Sequence, residues 1–302
     1  MAATSNEGAM ISAKHRAGSA LSVRRRQGSV ARRGNGSEPK SKRPDVQMMR
    51  VGTAGWANPS DEKVNREPGL THLQRYAQLF NSVEINSSFY RLHRRETYER
   101  WAASTGSDFR FSVKIPKAIS HDAALRCSSV ILDEFVEGVR GLGSKLAVLL
   151  LQLAPQAECE PRVARRFFRE LKSRIEVPIV CEPRHPSWAS SSVERLFREF
   201  QISWVSADPV RVLHAHAPIG DIQYYRLHGS PRVYWSSYAD ADLRDLSERM
   251  TSERRRVAQE WCIFDNTAAG AAWLNARLLN TYLCVAANRA RRATGTQRFV
   301  VS

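Results

Sequence analysis

A short apolar run that closes on a polar residue and leads into a helical pattern recurs along this chain, and that recurrence constrains the fold more than any other feature. Ser82–Tyr90, S-V-E-I-N-S-S-F-Y, is the most telling copy. Val83, Ile85 and Phe89 share one parity and Glu84, Asn86 and Ser88 the other, as in a strand. Helical patterns precede it at Leu70–Phe80 and follow it at Arg95–Ser104, the setting of a central parallel strand rather than an exposed edge. A polar row ending in Glu84 and Asn86 must then face something that uses it, because an unpaired buried carboxylate is costly.

The other expected strands are Met49–Gly55, Phe109–Ile115, Leu146–Leu153, Pro178–Glu182, Ile202–Asp208, Ile222–Gly229 and Trp261–Asn266. Leu146–Leu153 is a continuous apolar run, the mark of a strand buried on both faces. Further helices are expected at Ser129–Leu142, Pro161–Ile175, Ser187–Phe200, Asp240–Glu260 and Ala268–Ala287. Eight strands with helices between nearly all of them predict an α/β chain folded as a (β/α)8 TIM-type barrel. No G-x-G-x-x-G follows the first strand, which argues against a dinucleotide-binding domain. A doubly wound open sheet is the runner-up. The link Asp208–Asp221 is irregular, so the sixth helix is expected to be missing or replaced by a loop.

Charge divides the chain. Formal net charge is +16, and about half of it lies in the first fifty residues, densest at Arg24–Arg26 and Arg32–Arg33. Residues 1–47 are rich in Arg, Ser, Gly and Ala without helical period, and read as a disordered basic tail. The barrel domain is expected over 48–290, with a flexible C-terminus at 291–302. The surplus of positive charge favours an anionic small molecule or nucleic acid as partner; solubility alone is the competing explanation. Five scattered cysteines form no C-x-x-C pair, which points to a reducing compartment. No apolar run approaches the ~20 residues that span a bilayer. The expected location is cytoplasmic, or organellar if the source is eukaryotic and the tail is a transit peptide. Oligomeric state is not legible.

In a barrel, the functional face lies at the strand C-termini. Those ends supply Glu84, Lys114, Glu182, Asp208, His228 and Asp265 as candidate catalytic groups. Trp56, Asn86, Tyr90, Gln152, Arg184, His185, Arg226, Gly229, Ser230, Arg232 and Asn266 are candidate substrate-binding residues. Glu182, closing an apolar strand beside Arg184 and His185, is the expected general acid or base. Arg226 and His228, next to the Gly229–Arg232 loop, are the expected anion-binding side. A structural salt-bridge network is the alternative use of the same charges. Glu84, Glu182, Asp208, Asp265 and His228 are of types that hold a divalent metal, but no H-E-x-x-H or H-x-x-E-H spacing supports one, so no metal ligand is assigned and the cofactor is left unknown.

Six segments in order resemble the YecE-like family, domain of unknown function 72. They are G-T-A-G-W at Gly52–Trp56, V-E-I-N-S-S-F-Y-R-L at Val83–Leu92 and F-S-V-K-I-P at Phe111–Pro116, then E-P-R-H-P-S-W at Glu182–Trp188, R-L-H-G-S at Arg226–Ser230 and F-D-N-T at Phe264–Thr267. The resemblance runs from about Val51 to Leu279 and implies a TIM-type barrel; it implies no reaction. The chain departs from the family pattern in Ala57-Asn58-Pro59 after the first Trp and in Gln152-Leu153-Ala154-Pro155. The leading expectation is an enzyme acting on a phosphorylated or nucleic-acid-related substrate by hydrolysis or proton transfer. The alternative is a non-catalytic binder of a small anionic metabolite or nucleic acid. A third reading is a relic pocket on a protein that works through its basic surface.

Overall fold

The computed structural model describes residues 49–57, 68–212, 221–253 and 257–296. The expected tail over 1–47 lies outside the described residues, as does most of the link after Asp208; its described part, 209–212, is not helical.

Strands and helices alternate: β1 Met49–Thr53, α1 His72–Ala77, β2 Ser82–Ile85, α2 Arg95–Ala103, β3 Arg110–Lys114, α3 Ser129–Val139, β4 Leu146–Gln152 and α4 Pro161–Lys172. There follow β5 Ile179–Glu182, α5 Ser191–Phe200, β6 Ile202–Asp208, β7 Ile222–Leu227, α6 Asp240–Glu253, β8 Gln259–Phe264 and α7 Ala271–Thr296. From β2 to β8 each strand pairs in parallel with the next in sequence, and β8 pairs with β1. The ring is completed between β1 and β2 by the bridge Ala54↔Glu84 and by Gly55 N–H to Glu84 O at 2.8 Å. The sheet is thus a nearly closed barrel and not the doubly wound alternative.

The β1–β2 seam is close because of two residues. A Cβ at Gly52 would lie 2.2 Å from Ser82 O, so only glycine allows the approach. The Tyr76 hydroxyl, carried by α1, accepts from Thr53 N–H (2.8 Å) and donates to Ser82 O (2.9 Å), replacing a missing rung of the ladder. The position of α1 is set by its start, where Thr71 and Gln74 form a capping box.

Period-2 alternation divides the strands between two cores. One parity faces the helices, as do Val83, Ile85, Phe111, Leu149, Cys181, Trp204 and Phe264. The other fills the barrel, with Val148, Leu150, Val180, Val205, Tyr224, Trp261 and Ile263 as an apolar plug. Continuing the inward parity toward the C-terminal ends leads from apolar to charged positions: Leu150 to Gln152, Val180 to Glu182, Tyr224 to Arg226 and His228, Ile263 to Asp265.

Three boundaries differ from the sequence reading. β2 ends at Ile85, and Ser87–Phe89 is a 3₁₀ turn. Its Ser88 hydroxyl is within bonding distance of Ile85 O (2.8 Å) and Lys114 O (2.6 Å), ties that turn the chain where alternation alone would continue the strand. α6 ends at Glu253 rather than 260, because Ala258 and Gln259 N–H groups already bond Asp221 O as β8 begins. α7 runs to Thr296, past residue 290 where the sequence reading ended the domain.

Candidate functional site

Arg226 is the centre of the C-terminal rim, and it is fully buried. Nη2 lies 2.8 Å from Glu84 Oε1 and 3.0 Å from Asp265 Oδ2, Nε is 3.1 Å from Glu84 Oε2, and Nη1 is 3.3 Å from Glu182 Oε2. Three strands therefore deliver carboxylates to a guanidinium from a fourth. Burial opposes its charge, but Asp265, Glu84 and Glu182 outweigh burial and raise its pKa well above the usual value. The Tyr224 hydroxyl donates to Glu84 Oε2 (3.0 Å) from below; Ser112 Oγ sits 2.9 Å from the same phenol oxygen.

His228 bridges two of the carboxylates, with Nε2 3.0 Å from Glu182 Oε1 and Nδ1 3.0 Å from Asp265 Oδ2. A neutral imidazole has one N–H and would turn a lone pair toward one carboxylate; both contacts are favourable only when the ring carries both protons. Burial works against that charge, yet the bonds to Asp265 and Glu182 prevail and the His228 pKa is raised. Arg226 Nη1 is 3.4 and 3.3 Å from the two ring nitrogens. An in-plane approach so nearly equidistant would collide with Cε1, so the guanidinium lies against the ring face.

Glu182 also receives Gln152 Nε2 (2.9 Å) and Arg184 Nε (3.2 Å) on Oε1. Burial would raise its carboxyl, but Arg226, His228 and Arg184 overcome burial and hold it far below the usual range. Asp265 is lowered in the same way, burial being outweighed first by Arg226 and then by His228. Both acids are thus held as anions. Arg226 is likewise enclosed by its own partners.

Lys114 differs from the rest. It follows Ser112 on the inward parity of β3 and is buried, yet among the described residues Nζ has no hydrogen bond or ion pair. Nζ lies over the Phe89 ring, 4.0 Å from the centroid. Burial first and Arg226 second lower its pKa to about 8, against the opposing pull of Glu84, Asp265 and Glu182. Arg184, whose Nε is spent on Glu182, has no further partner on Nη1 or Nη2 among the described residues. His121, on a π turn at Ala118–Asp122, packs edge-on against Phe89 at 4.9 Å. Its pKa is lowered by burial, then by the charges of Lys114 and Arg184. Neither His121 nor the role of Phe89 is legible in sequence; the only signal is the Pro116 break that turns the chain after β3.

The other expected site residues take no part in the ion network. Asp208 has the outward parity of Trp204 and Ser206, and its carboxylate accepts from the Tyr238 hydroxyl at 2.7 Å, away from the ion network. His185 is half-buried and caps the Pro186–Trp188 turn by accepting from Ser187 N–H. Trp56 stacks edge-on against Trp101 at 5.0 Å, in the outer layer. Tyr90 is exposed beside the rim. Gly229 is buried with φ +91° and gives its N–H to Tyr238 Oη at 2.9 Å. Ser230 and Arg232 are exposed, with Arg232 over the Trp235 ring at 4.3 Å. Asn266 is buried and donates to Ser236 O and Asn275 Oδ1, both at 2.9 Å. Asn86 caps the 3₁₀ turn, and its Oδ1 has no partner among the described residues. No group of three His, Cys, Asp or Glu side chains among the described residues is placed to hold a metal ion; the guanidinium of Arg226 occupies the centre that the carboxylates share.

The fold and this rim define a TIM-type barrel with a buried ionic floor and a free basic edge. The chain belongs to the family described as protein of unknown function DUF72, whose model matches residues 50–298. The UPF0759 protein YecE of Escherichia coli K12 is 34% identical over 148 residues, 49% of this chain and 52% of that protein. YunF of Bacillus subtilis 168 is 24% identical over 168 residues, 53% and 58% of the two chains. The chain thus spans about half the length of the curated relatives it matches. Crystal structures of family members from Enterococcus faecalis V583 and Thermotoga maritima MSB8 superpose with TM-scores of 0.67 and 0.66 at 21% and 22% identity. Each covers 78% of this chain, and 95% and 99% of the respective structures; this likeness concerns the fold.

Proposed function

We propose that the barrel is an enzyme that binds a phosphorylated small molecule at its C-terminal rim and moves a proton on it, with Lys114 as the group that gains and loses the proton. The observation that carries this reading is the unpartnered Lys114 Nζ above a floor whose other charges are all committed to one another. With His228 protonated, Arg226, Arg184, Lys114 and His228 outnumber the carboxylates Glu84, Glu182 and Asp265 by one positive charge. The excess lies on the Lys114–Arg184 edge, which suits an anion. A pKa of about 8 suits proton transfer near neutral pH. Glu182, Asp265 and His228 hold the field fixed.

The test is a panel of phosphorylated metabolites incubated with the protein in deuterated water and followed by proton NMR. Wild type should wash deuterium into a carbon position of at least one compound, and Lys114→Met should not. Binding of such a compound without exchange would favour the alternative, a non-catalytic binder, whose support is the saturated network itself: a rigid floor is as useful for recognition as for chemistry.

A further inference from the structure

We infer that Lys114 is a nucleophilic amine that forms an imine with an aldehyde or ketone carrying an anionic group. The inference rests on the proposed rim site and deepens it by naming the substrate class.

Geometry carries it. An amine that attacks a carbonyl must present a lone pair, so its nitrogen must be free of a carboxylate partner. Lys114 Nζ meets that condition although three carboxylates line the same rim, because Arg226 engages all three within 3.3 Å. Burial strips water from Nζ and Arg226 acts on it as a second cation, the two surroundings that favour the neutral amine, while the Phe89 ring leaves that side of Nζ without a carboxylate. The backbone beneath it is held on both sides: Ser88 Oγ lies 2.6 Å from Lys114 O, and Ile115 N–H bonds Leu150 O at 2.8 Å. Only eight of the 46 Lys and Arg residues are lysine; the edge cation placed over Phe89 is one of those able to deprotonate.

The neighbouring groups fit the rest of such a substrate. Arg184 keeps Nη1 and Nη2 for a phosphate or carboxylate, and its guanidinium is held by Glu182 at Nε. His121 Nδ1 is engaged by Ser120 Oγ at 2.9 Å, which leaves Nε2 for the ligand. In the reaction, the Nζ lone pair forms a C–N bond as the carbonyl π bond opens to a carbinolamine. The oxygen then leaves as water, taking both amine hydrogens, and a C=N bond remains. No oxidant or reductant is needed. Protonated at nitrogen from solvent, the imine acidifies the adjacent C–H; Lys114 is then bonded to the substrate, so the released proton passes to His121 Nε2 or to water and not to Lys114.

The experiment traps the imine in the full-length protein. Glyoxylate and dihydroxyacetone phosphate, each alone, are added at pH 8 with sodium cyanoborohydride, and adducts are located by peptide mass mapping. The expected result is one saturable adduct on Lys114 of wild type, formed at least tenfold faster than on Lys117, Lys145 or Lys172. The compound that labels at lower concentration shows whether carboxylate or phosphate is the anionic group. Arg184→Ala should slow labelling about tenfold without moving it to another lysine. Labelling spread evenly over the lysines, or no adduct on Lys114 with either compound, overturns the inference. Deuterium wash-in that depends on Lys114 while no adduct forms would overturn the imine and leave the proton-transfer reading standing.

Discussion

Arg226 on β7 and Glu84 on β2 meet across the barrel, Nη2 to Oε1 at 2.8 Å, both wholly enclosed although 142 residues separate them. The pair joins the seam strand β2 to the opposite wall, on top of the apolar plug. Such a pair is weak evidence for net stability, because desolvation offsets the Coulombic gain. Its energetic signature is asymmetry: removing one partner strands a charge in the interior.

Glu84→Gln and Arg226→Met should therefore each lower stability by roughly 3–5 kcal/mol. The double variant should lose less than the sum of the two, read by urea denaturation of all three proteins. Strict additivity would mean that the two side chains do not interact as the geometry requires.

Lys114 should act in the opposite sense. Its folded-state pKa is about 8 against an ordinary 10.5, so the folded protein bears a cost for the charged ammonium at all pH values below about 8. That cost fades as pH rises from about 8 to 10.5, and stability gains accordingly. Lys114→Met should stabilise the protein at pH 7 by up to roughly 3 kcal/mol, with the advantage shrinking above pH 8. A variant less stable than wild type at pH 7 would show that the amine is held by favourable contacts.

Much of this rim was legible in sequence, and parity explains which part. Glu84, Lys114, Gln152, Glu182, Arg226 and Asp265 lie on the inward parity of strands whose apolar residues mark the two faces. Asp208 stands outside the ion network because it shares the outward parity of Trp204 and Ser206. His185 and Tyr90 sit beyond the strands, where backbone turns and not alternation aim the side chain. The inner partnership of Tyr224 with Glu84 and the Lys114–Phe89–His121 corner depend on contacts across elements, which no local pattern encodes.

His228 supplies a pH signature of its own. Its pKa is raised above the ordinary 6.5, so the stabilisation from the imidazolium is complete below that value and is lost as pH rises through the folded-state pKa. The stability difference between wild type and His228→Gln should be largest near pH 5.5 and decline toward pH 8.5. A difference that grows with pH would mean that the ring is neutral in the folded protein.

The last prediction concerns the seam on which the rim depends. Tyr76 Oη takes the Thr53 N–H and gives its own proton to Ser82 O, so Tyr76→Phe leaves a buried donor and a buried acceptor without a partner. The phenyl ring keeps its packing against Phe80 and Trp273, which isolates the hydroxyl as the lost element. The cost should be about 1–3 kcal/mol. It should be local as well as global: the Thr53 amide should exchange with solvent faster than amides of β4, which lies on the other side of the barrel. Gly52→Ala attacks the same seam by pushing a methyl group against Ser82 O, and should cost more, because backbone rather than a side chain must move. Glu84 is two residues beyond Ser82, so loosening this seam should also weaken the Arg226–Glu84 pair. Combining Tyr76→Phe with Arg226→Met should then cost less than the sum of the two. Unchanged Thr53 exchange in Tyr76→Phe would show that β1 and β2 are held together by other means.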